Sequence, residues 1–80
     1  MDYTSKELTA FLFDLGRGLK EDALEAKQLV LTAGETDKDF YEGKLLGYHE
    51  VLSFLLNQAR AFQIDAEVIG LKDFNPDKDL

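Results

Sequence analysis

Residues 41–62, YEGKLLGYHEVLSFLLNQARAF, decide the fold class. Tyr41, Leu45, Tyr48, Leu52, Leu55, Ala59 and Phe62 recur in alternating steps of four and three, a heptad spacing held over three repeats. On a helix that spacing draws one apolar seam; on a strand it would scatter the same residues over both faces.

Toward the N-terminus a second stripe runs through Leu8, Leu12, Leu15, Leu19, Ala23, Ala26, Val30 and Ala33. Thr4 and Glu7 have the capping-box spacing, so this helix is expected to start near Ser5, with Gly34 as its left-handed stop. Each glycine of Gly16-Arg17-Gly18 costs a helix interior about 1 kcal/mol relative to Ala, yet the stripe keeps phase across them, and continuity is expected. The linker reads as Gly34-Glu35-Thr36, with Thr36 or Asp37 capping the second helix and Asp37, Asp39 and Glu42 near its positive end.

A short turn between two helices makes an antiparallel hairpin, in which facing residue numbers add to about 70. That register sets Leu8 against Phe62, Ala23 against Gly47 and Ala26 against Gly43, so close backbone approach is expected there and Ala23 and Gly47 should resist enlargement. It also sets Gly16 and Gly18 opposite Phe54 and Leu52, for which they would make room. Beyond the hairpin, residues 1–64, a second unit of residues 65–80 is expected. It holds one turn, capped by Asp65 and closed by Gly70, then Asn75-Pro76 as the start of another. Its five acids against two lysines point to a mobile acidic tail over residues 73–80, with Leu71 and Phe74 as anchors on the hairpin.

Eighty residues at 9.0 kDa leave room for one small domain, and the absence of Cys removes disulfides, thiolate nucleophiles and zinc-thiolate clusters. A net charge of -7 disfavours nucleic acid and anionic membrane surfaces as direct partners. With no signal peptide and no apolar run near the ~20 residues that cross a bilayer, a cytoplasmic location is expected.

The motifs that suggest chemistry are incomplete. His49-Glu50-Val51-Leu52-Ser53 begins like the zinc motif H-E-x-x-H, but Ser53 stands where the second His must be and there is no other His. Asp37-Lys38-Asp39 lacks the further oxygen ligand and the Gly of a calcium loop, and its acids have a sufficient role at a helix N-terminus. Gly16-x-Gly18 lacks the third Gly and preceding strand of a dinucleotide site. Gly43-x-x-x-Gly47 allows two helices to approach closely, and packing inside the hairpin is the expected use. No catalytic, metal or cofactor residue is assigned.

Once the seam is assigned, Phe11, Phe13, Leu24, Leu29, Leu31, Phe40, Leu46, Phe54 and Leu56 are left over. Two helices touch along one line, so these side chains need a second layer, and a homodimer closing a four-helix bundle supplies it most simply. Phe11, Phe40, Phe54 and Leu56 are the expected association residues, with a heterologous protein helix as the other candidate to fill the groove. The function expected is that of a non-enzymatic interaction module, an adaptor or small regulator. The alternative is an inhibitor or immunity-type protein that presents Asp14, Glu21, Asp22 and Glu25 to the basic cleft of a nucleic-acid-binding target.

Overall fold

A computed structural model describes residues 4–80. Among them there is no strand: α1 spans Ser5–Thr32, α2 Glu35–Ala61, a 3-10 turn Ala66–Ile69, and α3 Pro76–Asp79. The chain is an all-α helical hairpin followed by a C-terminal segment. Thr4 closes the capping box at the start of α1, its hydroxyl accepting from the Glu7 amide at 3.2 Å while its own amide donates to the Glu7 carboxylate at 3.3 Å. α1 runs unbroken through Gly16-Arg17-Gly18.

The reversal differs from expectation. Gly34 is extended, with φ -70° and ψ 168°, and so is Ala33; neither is left-handed. Gly34 is instead the N-cap of α2, its carbonyl accepting from the amides of Asp37 and Lys38 at 3.1 Å. The helix therefore begins at Glu35, before Thr36 and Asp37 can cap it, and no side chain caps it. Glu35 and Asp37 in its first turn face the positive end of the dipole.

The far end of α2 closes as a Schellman motif, with Ile64 N–H donating to the Ala59 carbonyl at 2.7 Å and Gln63 N–H to that of Arg60 at 3.1 Å. Gln63 supplies the left-handed residue, at φ 57°. The 3-10 turn ends in the same way, with Leu71 N–H to Ala66, Gly70 N–H to Glu67, and Gly70 at φ 73°. Asn75 caps α3, its side-chain oxygen accepting from the Asp77 amide at 3.0 Å, with Pro76 in the first turn.

Residues 73–80 are not the mobile acidic tail that their charge suggested. Leu71 is fully buried, and Phe74 and Pro76 are buried with it; Ile69, Leu71 and Phe74 meet Ala23, Leu52 and Ala59 in a single core. Leu19, Tyr48, Leu55, Leu56, Ala66 and Leu80 pack around that cluster. Three polar contacts hold this C-terminal strap, residues 66–80, to both helices. From α1, Lys27 Nζ donates to the Asp79 carbonyl at 2.8 Å and Lys20 Nζ sits 5.7 Å over the Phe74 ring; from α2, His49 Nε2 lies 2.8 Å from the Asp77 carboxylate.

The strap also corrects the reading of the glycines. A Cβ on Gly16 would overlap the Ile69 carbonyl, and one on Gly70 would overlap the Phe13 carbonyl, so these two glycines let the 3-10 turn lie directly on the α1 backbone. Gly16 makes no room for Phe54 or Leu52, and Gly18 has open space around it. Ala23 and Ala26 are buried, but Gly43 and Gly47 are exposed with nothing within 4 Å of an added Cβ. They do not face those alanines, and the intramolecular cost expected for enlarging Gly47 disappears. Leu8 and Phe62 are likewise mostly exposed, since both stripes run past the end of the packed seam.

Candidate interaction surface

Among the described residues, no polar or charged side chain is buried, and no group of three or more His, Asp or Glu is placed to hold a metal ion. His49 is occupied by Asp77 across the α2–α3 junction, where it tethers the strap. Among the described residues, no helix is long and apolar enough to cross a membrane.

The surface presents large apolar side chains, several of them aromatic. Phe11 on α1 and Phe40 and Phe54 on α2 are 64, 67 and 60% exposed, although each belongs to the body of a regular helix. Phe40 leans edge-on against Tyr41, ring centres 5.3 Å apart, which fixes the ring without covering it. Leu56 is placed differently: it is half-buried against the core under the strap, so its apolar surface is already satisfied within the chain.

Three sides of α2 can be distinguished. The side bearing Leu52 and Ala59 is buried. His49 and Leu56 lie on the side toward the strap. The third side carries Phe40, Gly43, Gly47, Val51 and Phe54, all exposed. On sequence alone the two glycines are assigned to the inside of the seam, and Val51 is left out of the association set. Tracing the outer face at helical spacing, as the seam was traced, would have found all five.

The acidic set stands on α1. Asp14, Glu21, Asp22 and Glu25 are all exposed, but Arg17 sits among them, 2.8 Å from the Glu21 carboxylate and 3.6 Å from that of Asp14. Two of the four acids therefore have a cation on their own helix, and the face is a mixed one. Exposed pairs of this kind contribute about 0–1 kcal/mol each, so their effect lies in potential more than in stability. Set against known proteins, the chain matches no family model, no curated protein and no solved structure.

Proposed function

We propose that this chain is a small cytoplasmic protein–protein interaction module, an adaptor or regulator without catalysis of its own, whose helical hairpin completes a four-helix bundle with a partner. One observation carries the reading. The strap, which could have covered the leftover aromatics, is committed to another side of the hairpin, and Phe11, Phe40 and Phe54 remain more than half exposed. Rigid aromatic side chains in such positions supply the anchors of protein interfaces at low entropic cost. The inhibitor reading has less support, because Arg17 interrupts the acidic face it would use.

Affinity capture from the source cell, with wild type and a Phe11→Ser/Phe40→Ser/Phe54→Ser variant, tests the proposal. A protein or further copies of the chain should be retained by wild type and lost from the variant while the variant's helical circular dichroism persists. Identical capture by both would overturn it.

A further inference from the structure

We infer that the docking surface of this module is the outer face of α2, and that its occupant is a second copy of the chain laid antiparallel across a two-fold axis at Gly47. The inference rests on the interaction reading above and names its partner. Phe40, Gly43, Gly47, Val51 and Phe54 fall within about a quarter of the helix circumference at ~3.6 residues per turn. Their spacing is three, four, four and three, so the face reads alike from either end with Gly47 at its centre.

A two-fold axis perpendicular to a helix requires that symmetry, because residue i of one copy meets residue j of the other and j meets i. Here it brings Phe40 against the partner's Phe54, and Gly43, which has no side chain, against the partner's Val51. Gly47 meets its own copy where the two backbones come closest, and the absence of a Cβ there permits the approach. Thr36 and Gln58, four residues beyond each Phe, extend the same pattern and give the apolar centre a polar rim. An unrelated partner would need no such palindrome.

The area agrees. The chain exposes 6022 Å², whereas a compact monomer of its 9.0 kDa exposes about 4,900 Å². The surplus of roughly 1,100 Å² is comparable to the ~800 Å² that a standard interface removes from each partner. The radius of gyration points the same way, at 14.5 Å against about 12 Å for a compact chain of this length.

Sedimentation equilibrium of the full chain at micromolar concentration, combined with oxidative cross-linking, tests the axis. Wild type should be dimeric. Phe54→Ser should weaken the dimer by at least about a hundredfold with unchanged helicity, because each copy loses an anchor. Leu31→Ser, at an exposed position on α1, should leave it intact. Gly47→Cys, in a chain with no other Cys, should form a disulfide-linked dimer on mild oxidation, as two Cα atoms within about 7 Å can; Leu31→Cys should not. A dimer indifferent to Phe54→Ser that yields no Gly47→Cys cross-link overturns the axis and leaves self-association standing. A wild-type monomer that captures another protein through its aromatics overturns the second copy as occupant and leaves the interaction reading standing. A monomer that captures nothing overturns both.

Discussion

Two sides of α2 are built from similar residues and meet opposite fates. Leu52 and Ala59 disappear into a core completed by Leu71 and Phe74, while Phe40, Val51 and Phe54 stay in water. Both sides are apolar at helical spacing, so hydrophobicity alone does not separate them. What separates them is that α1 and the strap, which comes from the far end of the chain, together cover the first side and leave the second exposed. In a domain this small, burial depends on which segment arrives as much as on how apolar a face is.

The contrast is most easily broken at Leu71. It is one of the two largest fully buried side chains, and Leu71→Ala should cost about 3 kcal/mol, a large part of a small domain's stability. Leu31→Ala, at a side chain 70% exposed, should stay within about 0.5 kcal/mol of wild type. Urea unfolding of the two variants reads the difference, and equal midpoints would mean that the strap adds nothing to the fold.

The glycines sharpen it next, because Gly16 and Gly18 are two residues apart and differ only in what lies above them. Gly16→Ala should destabilise by about 2 kcal/mol, since the added Cβ displaces the Ile69 carbonyl and with it the docked turn. Gly18→Ala should stabilise by up to about 1 kcal/mol through helix propensity alone. Amide hydrogen exchange at Leu71 and Phe74 should speed up in the first variant and remain slow in the second; the same response in both would place the strap elsewhere.

A smaller gain is expected at the end of α2. Gln63 and Gly70 take the same left-handed position in two Schellman closures, but only Gly70 is pressed against the α1 backbone. Gln63→Gly should therefore raise stability by roughly 0.5 kcal/mol as the Cβ strain is relieved, which a shift in thermal midpoint measures. A small loss is expected for His49→Ala. Its partner Asp77 is largely exposed, so losing the contact should cost no more than about 1 kcal/mol. A larger loss in thermal denaturation would make the His49–Asp77 tether, and not Leu71 and Phe74, the chief hold on the strap.

The hairpin was legible because its signals are local. The capping box of Thr4 and Glu7, the continuity of α1 and the seam from Tyr41 to Ala59 all rest on residues three or four apart, whose geometry is the same in any helix. The Gly70 closure and the Asn75-Pro76 start were legible for the same reason, since caps and left-handed closures are chosen within one turn, whereas the Asp65 side chain makes no capping bond to its turn. The sequence by itself thus determined two long helices, their reversal, and two short turns after them. Only the tertiary structure decided that those turns dock. The meeting of Gly16 with Ile69, and of Lys27 with Asp79, joins residues more than fifty positions apart, and no periodicity announces it. Charge suggested that residues 73–80 would stay in water. Leu71, Phe74 and Pro76 turn inward while Asp73 and Asp77 stay exposed, and apolar burial on one side of a short strap outweighs the acidity of the other. By filling that side, the strap leaves Phe40, Val51 and Phe54 of α2 exposed.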